Sequence, residues 1–548
     1  MKFFKLIAIH AAAAAVMVFS SVCSVFAGDK TAQEIVNDMK IGWNLGNSFD
    51  SVSANGDIPS ETYWGNPVVT QAAIDAVYNK GFRTVRLPVT WYQNCDADGK
   101  ISEARLARVK EVVDYCRSRD MYVILNIHHE DEKIIPDAAH KVSSKQWVIN
   151  LWSQIAAYFK DYDQHLIFET MNEPRLTGTD EEWTTGSYET RVILSELNQA
   201  AVDTIRSAGG NNADRLIMCP SNAAKIPAET GFTLPDDPYV ALSVHNYSPY
   251  NFALDGDENS TTQWGSDSDK SALESEIKGL YYRFVAKGVP VVIGEMGATD
   301  KQNTAEREEW AEFYTKTAST YGITCVVWDN NDIYSDKYSN LGDKKYSEHF
   351  GLLNRSDNSW YYPTVAAALV KGANEAQPYT PKPEDAYTTE YYSGSAALSS
   401  FDPLYITSNL PALADGYYVA VDYTGQRGWL VFQKGEAWTQ FMQPDKDENG
   451  TMYFSFETIA AKLDYNSQEQ MFIQASGADC TVKRVYVIAP HLNGDVTNDG
   501  KVNNKDAAVL LKYICSVSTA GTAMAYGNYN QKDGIDMTDV VSLLKENK

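Results

Sequence analysis

Eight short apolar runs, each ending in polar or aromatic residues, alternate with helical stretches in the first two thirds of the chain. The runs are Ile41–Asn47, Phe82–Val89, Tyr122–His129, Leu166–Pro174, Leu216–Asn222, Tyr239–Tyr247, Pro290–Gly297 and Ile323–Asn330. Strands that are apolar on both faces are typical of a parallel sheet covered by helices, such as the one predicted at Glu103–Arg119. Eight such units predict an α/β fold, a (β/α)8 TIM barrel, over residues 28–377.

The polar residues lie at the C-terminal ends of the runs, where barrel enzymes carry their sites. Glu173 follows the fourth run and Glu295 lies in the seventh, and these two strands face each other across a barrel mouth. Carboxylates about 5 to 5.5 Å apart are what a retaining glycosidase needs, one as nucleophile and one as acid, then base. We expect a raised pKa for the acid, towards about 6, and Arg86 and Tyr247 as hydrogen-bond donors to the nucleophile.

Other strand-end residues leave alternatives open. The histidines His128, His129 and His245 are compatible with a metal centre, although the chain has no HExxH motif and imidazoles also bond sugar hydroxyls. Trp328 either forms an apolar floor under a sugar ring or caps the core. Glu169 is expected to be buried beneath the site, whereas Glu130 and Asp131 are expected in a solvated loop. Three further tryptophans either line a cleft or pack: Trp64, Trp91 and Trp264.

Seven motifs together resemble glycoside hydrolase family 5, of the endo-β-1,4-glucanase type. They are residues 42–47 (GWNLGN), 86–91 (RLPVTW), 126–129 (NIHH), 172–174 (NEP), 245–247 (HNY), 294–295 (GE) and 327–328 (VW), in family order over about 300 residues. The string at 168–175 (FETMNEPR) is similar to subfamily 4, whose members often accept cellulose, mixed-linkage glucan and xyloglucan.

This resemblance implies a role for each matched residue. Glu173 would be the acid/base and Glu295 the nucleophile, oriented by Arg86 and Tyr247. The remaining substrate contacts would be Asn172 to the sugar 2-hydroxyl, His128 and His245 in the subsite of cleavage with His129 beside them, and Asn44 and Trp328 on the non-reducing side.

Charge and leader sequence restrict partners and location. The net charge of -25 repels nucleic acid and anionic lipid, and aromatic residues make up 12% of the chain, which suits an uncharged ligand such as carbohydrate. Residues 1–27 read as a secretory signal peptide, so we expect an extracellular protein without membrane spans. The six later cysteines are scattered, without a CxxC pair, which favours buried free thiols.

The pattern changes after residue 377. Residues 378–385 are a Pro-rich linker, and residues 386–489 carry short alternating segments typical of a β-sandwich. We interpret this module as carbohydrate-binding, with a structural spacer as the alternative. Its candidate ligand-facing aromatics are Tyr423, Trp429, Trp438 and Phe441.

Residues 490–548 carry a duplicated loop–helix pattern. Oxygen ligands at the loop positions Asp495, Thr497, Asp499, Lys501, Asn503 and Asp506, with Gly500 between them, suit calcium. A poorer second loop offers Asn528, Asn530, Asp536 and Asp539, and its occupancy is left open. Two such units resemble a dockerin, a small α-helical module that binds a cohesin domain of a scaffoldin.

The sequence thus predicts a secreted retaining endo-β-1,4-glucanase that hydrolyses cellulose and related β-glucans, xyloglucan among them. Catalysis would need no cofactor, calcium would belong to the dockerin, and the enzyme would be part of a cellulosome. The alternatives are a catalytically silent glycan-binding subunit, a β-mannanase on the same barrel and a metal-dependent barrel hydrolase.

Overall fold

A computed structural model describes residues 30–546, except 229, 255–258, 334–347, 380–386, 400, 408–409, 412, 414–415, 449, 491, 493, 498–501, 515–534 and 536. The predicted signal peptide and most of the predicted linker lie outside the described residues. No helix in the described part of the chain is long and apolar enough to cross a membrane.

All eight predicted strands form, and they close into a parallel barrel in chain order. Their bounds are β1 Ile41–Asn44, β2 Thr84–Leu87, β3 Tyr122–Asn126, β4 Leu166–Glu169, β5 Ile217–Pro220, β6 Val240–His245, β7 Val291–Met296 and β8 Thr324–Val327. Each strand ends before its predicted run does, so the polar residues lie at strand ends or in the loops that follow.

Helices cover the outside of the barrel. Their bounds are α1 Ala32–Asp38, α2 Gln71–Lys80, α3 Glu103–Arg117, α4 Lys141–Tyr158, α5 Tyr188–Ser207, α6 Tyr250–Ala253, α7 Asp267–Arg283, α8 Thr304–Thr320 and α9 Pro363–Glu375. Side chains of Thr31, Thr70, Ser187 and Ser266 cap the N-termini of α1, α2, α5 and α7. Between β5 and β6 the described residues form only a short 3-10 helix, Asn222–Ala224.

The barrel interior changes from apolar to polar along the strands. At the N-terminal end, inward side chains such as Ile124, Ile167 and Met218 pack with Ile35 and Val36 of α1, which closes that end. Two residues further along their strands, Asn126 and Glu169 replace the aliphatic side chains and are likewise buried. A polar layer inside a barrel must be hydrogen-bonded throughout, and this layer carries the site.

The predicted β-sandwich follows as two antiparallel sheets. Two short strands, β9 Leu353–Asn354 and β10 Ser359–Trp360, form a separate hairpin in the barrel region. The strands of the sandwich are β11 Thr388–Leu398, β12 Pro403–Thr407, β13 Tyr418–Gly425, β14 Trp429–Lys434, β15 Ala437–Phe441, β16 Lys446–Glu448, β17 Thr451–Ser455, β18 Gln470–Gln474 and β19 Cys480–Ile488. The five-stranded sheet has the order β11-β19-β13-β17-β16, and the four-stranded sheet the order β12-β18-β14-β15. Both sheets contribute side chains to one core, among them Val419 and Phe454 from the first and Leu430 and Ile473 from the second.

A short helix α10, Phe456–Ala460, belongs to the sandwich, and two helices end the chain: α11 Asn504–Ile514 and α12 Met537–Glu546. The last two pack on each other through a small apolar core that includes Leu510, Val540 and Leu543. The cysteines of the described residues are free: Cys116, Cys219, Cys325 and Cys480 are buried and Cys95 is half-buried. This confirms the predicted buried thiols at four of the six positions; the sixth, Cys515, lies outside the described residues.

Candidate active site

A cavity of about 830 Å³ opens at the C-terminal mouth of the barrel. Its walls include eight of the ten predicted site residues of the barrel: His128, His129, Asn172, Glu173, His245, Tyr247, Glu295 and Trp328. The other two, Asn44 and Arg86, are fully buried beneath it. All ten residues therefore lie in one region, as predicted, but eight of them line the cavity and two lie in the barrel interior below it.

Glu295 is aimed into the cavity by an irregularity in β7. The pairing of β7 shifts on both sides of Gly294, towards β6 and towards β8, as in the bulges that redirect side chains next to active sites. Glycine leaves room there for the polar layer, because a methyl group at this position would lie 3.3 Å from Glu169 Oε1, closer than an ordinary van der Waals contact. Arg86 Nη1 donates to Glu295 Oε1 at 2.7 Å, and the Tyr247 hydroxyl donates to Oε2 at 2.9 Å.

Tyr247 remains protonated and keeps donating, because burial and the charge of Glu295 raise its pKa well above the usual value. Each oxygen of Glu295 thus accepts a hydrogen bond from one of these two side chains. The two donors named from the sequence therefore do meet this glutamate.

Arg86 is held in one orientation by the polar layer. Its Nε donates to Glu169 Oε2 at 2.8 Å, and its Nη2 donates to Asn172 Oδ1 at 2.7 Å. Glu169 also accepts from Ser243 Oγ at 2.6 Å, so it is the buried structural partner that the sequence predicted. The Glu169 carboxylate offsets the positive charge of Arg86. Its hydrogen bonds fix the guanidinium so that Nη1 faces Glu295.

Glu173 lies four residues beyond β4, in the loop at the barrel mouth. His245 Nδ1 is 2.8 Å from Glu173 Oε1 and 3.5 Å from Glu295 Oε2. One oxygen of each glutamate and this ring nitrogen all lie within 4.8 Å of one another. Two carboxylates and one imidazole therefore share a single small volume at the cavity floor.

The position of the shared proton differs from the expectation. Burial alone would raise the pKa of Glu173, yet the hydrogen bond and charge of His245 outweigh it and hold this pKa below its usual value. Burial lowers the pKa of His245, but the charge of Glu295 and the hydrogen bond to Glu173 outweigh that and raise it. The predicted upward shift of Glu173 is therefore wrong for this state, in which His245 carries the proton of the pair.

His128 is a neutral hydrogen-bond donor to the cavity. Burial lowers its pKa well below the usual value. The Asn126 amide is oriented by the backbone N–H of Val89, which donates to its Oδ1 at 3.0 Å, so its Nδ2 faces His128 Nδ1 at 3.0 Å. His128 Nδ1 therefore accepts, and Nε2 carries the hydrogen.

This tautomer disfavours a metal ion on Nε2. Among the described residues the three predicted histidines also do not form one cluster of ligand atoms. His128 and His129 lie with Asp50, and His245 lies with the two glutamates.

Asn44 does not have the predicted position. Its Nδ2 donates to the Gly294 carbonyl at 3.0 Å and its Oδ1 accepts from Arg86 at 3.0 Å. Because the side chain is fully buried and bonded within the barrel, it supports Arg86 and does not reach a sugar. Trp328 does line the cavity, and its ring lies on Gly46, where an added methyl group would be 2.7 Å from Cζ2.

The three remaining tryptophans divide between groove and core. Trp64 is exposed and, with His129 and Arg175, lines a groove of about 390 Å³ next to the cavity. Trp91 is fully buried and donates from Nε1 to the Asn126 carbonyl at 2.9 Å. Trp264 is buried as well, so only Trp64 lies in a groove.

The cavity is also lined by residues that the sequence analysis did not predict, among them Trp183 and Asp50. Trp183 is 55% exposed on the cavity wall, with the Arg175 guanidinium 4.3 Å from its ring centroid. It lies in the long loop after β4, where no strand pattern marks it. Asp50 accepts the backbone N–H groups of Asn47 and Ser48 at 2.8 and 2.6 Å; its position three residues after the 42–47 motif was an available signal.

Glu130 is buried, contrary to the solvated position expected for it. It is 2% exposed and accepts the backbone N–H groups of Trp91 and Tyr92 at 2.7 and 3.0 Å and Trp147 Nε1 at 2.8 Å. It therefore ties the loop after β2 to helix α4. Burial raises its pKa to about 7, although these hydrogen bonds oppose the shift.

We expect Glu130 to make stability depend on pH. A carboxyl whose pKa is raised by folding binds a proton more tightly in the folded state, so its contribution is complete below about pH 4.5 and is lost as pH rises through about 7, by roughly 3 kcal/mol in all. Urea unfolding at pH 5 and 7.5, followed by tryptophan fluorescence, should show this loss, and Glu130→Gln should lack it. The exposed Glu132→Gln is the control. Parallel pH dependences for Glu130→Gln and the unchanged protein would contradict the assignment.

Hydrolysis of a glycosidic bond needs one carboxyl group that moves a proton and a second one that attacks the sugar or activates water. The cavity brings two carboxyl groups together, at the end of a (β/α)8 barrel where enzymes of this fold bind their substrates. Together, barrel and carboxylate pair define a glycoside hydrolase.

Known proteins narrow this class further. Residues 46–333 match the model of cellulase, glycosyl hydrolase family 5. The chain is 47% identical over 356 residues to endoglucanase A of Clostridium longisporum, covering 64% of this chain and 67% of that one. The chain therefore belongs to glycosyl hydrolase family 5 and is a glycoside hydrolase of the cellulase type.

Solved structures place it in the same subfamily as predicted. A GH5-4 broad specificity endoglucanase from Clostridium longisporum superposes with a TM-score of 0.60 at 46% identity, covering 64% of this chain and 100% of that one. A GH5-4 broad specificity endoglucanase from Ruminococcus champanellensis, with bound cellotriose, gives 0.59 at 42% identity, over 63% and 99% of the two chains. Subfamily 4 is thereby supported for the barrel.

Proposed function

We propose that the chain is a secreted, retaining endo-β-1,4-glucanase that binds a scaffold protein through its C-terminal module. The observation that carries the catalytic part is the group formed by Glu173, His245 and Glu295, whose oxygen and nitrogen atoms lie within 4.8 Å of one another. Carboxyl groups about 5 to 5.5 Å apart suit retention, because no water molecule has to fit between them and the sugar.

Each residue then has a step in a double displacement. Glu295 attacks the anomeric carbon while Glu173 gives a proton to the departing glycosidic oxygen, which leaves a glycosyl ester on Glu295. Glu173 next takes a proton from water as that water attacks the same carbon, and the Glu295 carboxylate is released. His245 supplies the proton of the first step to Glu173 over their 2.8 Å contact, and Arg86 stabilises the departing carboxylate in the second.

The substrate we propose is a β-1,4-linked glucan, including mixed-linkage glucan and xyloglucan. Support comes from the relatives named endoglucanase and from the cellotriose bound in the Ruminococcus champanellensis structure. The alternatives are a β-mannanase and a silent glycan-binding subunit. The presence of both glutamates, with the buried Arg86 bonded to Glu295, favours an enzyme, because binding a glycan does not need a pair of carboxyl groups.

Hydrolysis of barley β-glucan, carboxymethylcellulose, xyloglucan and mannan by the full chain tests this proposal. We expect a rapid fall in viscosity with the first three polymers, because an open cavity allows internal cleavage, and little reaction with mannan. Mannan cleaved fastest would establish the β-mannanase. Glucan binding without any hydrolysis would establish the silent subunit.

The C-terminal loop contains residues that fit a calcium ion. Asp495 and Asp506 are fully buried, and both contact Thr497 Oγ1, at 3.3 and 2.8 Å. The backbone N–H of Asn503, another predicted ligand, donates to Asp506 Oδ2 at 2.8 Å. Buried carboxylates and neutral oxygens are the ligands that a hard cation prefers. The predicted ligands Asp499, Lys501, Asn528, Asn530 and Asp536 lie outside the described residues, as does the Asp539 side chain.

Calcium would order this loop against α11, and an ordered loop–helix pair is what we propose for binding a cohesin domain. We therefore expect the full chain to bind calcium in a calorimetric titration, with binding weakened by Asp506→Asn. EDTA should abolish cohesin binding but leave β-glucan hydrolysis unchanged, because the barrel groups act without a metal in our mechanism. Hydrolysis that is lost on chelation and restored by calcium would contradict this division of roles.

A further inference from the structure

The outer face of the four-stranded sheet in the β-sandwich is unusual for a surface. The register places Tyr405 of β12 beside Phe472 of β18, and Phe472 beside Val431 of β14. Their neighbours along the strands, such as Leu430 and Ile473, belong to the core between the sheets. Because side chains alternate along a strand, Tyr405, Phe472 and Val431 point away from that core.

This outer face carries a row of aromatic rings. Tyr405 and Trp438 are 54% and 52% exposed, yet Phe472 between them is completely buried. Their ring centroids lie 5.0 Å and 5.7 Å from that of Phe472. The row links β12 to β15, and these two distances keep the centroids of the Tyr405 and Trp438 rings within about 10.7 Å of each other. Two exposed rings thus flank a solid apolar floor.

Glutamine side chains supply hydrogen-bonding groups beside the rings. Gln440 Nε2 donates to Gln474 Oε1 at 2.9 Å, and Gln474 Nε2 donates to the Phe401 carbonyl at 3.2 Å. Phe401 lies 5.9 Å, ring to ring, from Trp429 at the end of the same face. An amide both donates and accepts, as a sugar hydroxyl does, so these groups match a polyhydroxylated ligand.

The outer face of the five-stranded sheet differs from this face because it carries paired charges. On the outer side of the five-stranded sheet, Arg484 pairs with Glu390 at 2.6 Å and covers the ring of Tyr486 at 4.1 Å. Lys446 lies over Tyr453 in the same way, at 5.6 Å. Within the described residues no ion pair involves the strands of the four-stranded sheet. A face of rings and amides without paired charges suits an uncharged ligand.

We infer that this face, defined by Tyr405, Trp438, Phe472, Gln440 and Gln474, binds a neutral β-glucan chain. The exposed rings of Tyr405 and Trp438 contact the apolar faces of the sugar units, with buried Phe472 supporting both rings from below. The partly exposed Gln440 amide bonds sugar hydroxyls, and buried Gln474 holds it in place. The choice of a β-glucan rests on the proposed function of the barrel, because a binding face in the same chain holds the polymer that the barrel cleaves.

The assignment changes two of the aromatic residues predicted for this module. Phe441 is fully buried in the sandwich core. Tyr423 lies on β13, in the other sheet, with its hydroxyl 3.1 Å from Asp447. Trp438 and Trp429 keep the positions expected of ligand-facing residues.

Affinity electrophoresis in gels containing barley β-glucan tests the inference. All variants carry Glu295→Gln, so that the polymer is bound and not digested. Adding Trp438→Ala or Tyr405→Ala should weaken retention by the polymer about tenfold, since aromatic side chains dominate such contacts. Tyr418→Ala, an exposed tyrosine of the five-stranded sheet, is the matched control and should not change retention.

Two further measurements separate the remaining outcomes. Trp328→Ala on the same background weakens glucan binding in the barrel cavity. Polymer bound in the barrel then cannot mask a loss of binding at the sandwich. With Glu295 restored, Trp438→Ala should hydrolyse cellotetraose at the unchanged rate, which distinguishes failure of this face from failure of the barrel. Unchanged retention of both sandwich variants would overturn the inference. So would a dimer, seen by sedimentation, that Trp438→Ala converts to a monomer without affecting glucan binding.

Discussion

Replacing Glu295 by glutamine is expected to lower kcat on barley β-glucan by about 10⁴-fold or more. The amide has the shape of the carboxylate and keeps its place between Arg86 and Tyr247, but its oxygen is too weak a nucleophile to form the glycosyl ester. Substrate binding should change little, because the charge acts on the transition state and the intermediate. Initial rates of reducing-sugar release, with KM determined separately, measure the effect.

The matched control is Glu276→Gln, a carboxylate at the edge of the same cavity that accepts from Ser248 Oγ at 2.6 Å. It removes one negative charge from the cavity without touching the proposed nucleophile, so kcat should remain close to that of the unchanged enzyme. If Glu295→Gln retained a kcat within tenfold of the unchanged enzyme, another group would have to be the nucleophile.

Glu173→Ala is expected to have an effect that depends on the leaving group. On β-glucan the departing sugar oxygen needs a proton, and loss of the general acid should cost about 10² to 10⁴ in kcat/KM. A dinitrophenyl cellobioside has a leaving group that needs no proton, so its kcat/KM should fall far less. Its kcat should still drop, because the glycosyl ester then lacks the base that activates water.

Parallel assays on the two substrates separate these effects, and azide should restore the kcat on the aryl substrate by attacking the ester in place of water. His245→Asn leaves Glu173 in place and is the comparison, because it removes only the proton donor of the pair. Equal losses of kcat/KM on both substrates would show that Glu173 does not protonate the leaving group.

Strand patterns predicted the barrel and the paired glutamates because both follow from local chemistry. A parallel strand covered on both faces is largely apolar, and polar residues at its C-terminal end or in the loop that follows lie at or just below the barrel mouth. Glu173 and Glu295 could therefore be paired without knowing any contact between them.

Residues that depend on distant partners could not be placed in this way. Glu130 is buried because Trp91, Tyr92 and Trp147 donate to it, and these donors come from two other segments. Asn44 belongs to a matching motif, yet its partners, Arg86 and Gly294, lie on other strands. Such positions are set by how the strands surround one another, which a strand pattern does not contain.

The direction of the Glu173 pKa shift could not be predicted either, because it also depends on a residue of another strand. Burial favours the neutral acid, as expected from the sequence, but a histidine on β6 lies 2.8 Å away and reverses the outcome. In the sandwich, the pairing of β13 with β19 shifts between Asp422 and Tyr423. Simple alternation along the sequence therefore does not tell which side chains of this strand face outwards.

The central claim, a double displacement by Glu173 and Glu295, is tested most directly by the anomeric configuration of the first product. Proton NMR of cellotetraose hydrolysis, recorded before mutarotation equilibrates the sugars, distinguishes the two anomers. The account predicts that the β-anomer of the new reducing end appears first and the α-anomer follows only by mutarotation. An α-anomer formed first would show a single inverting displacement by water and would contradict the account.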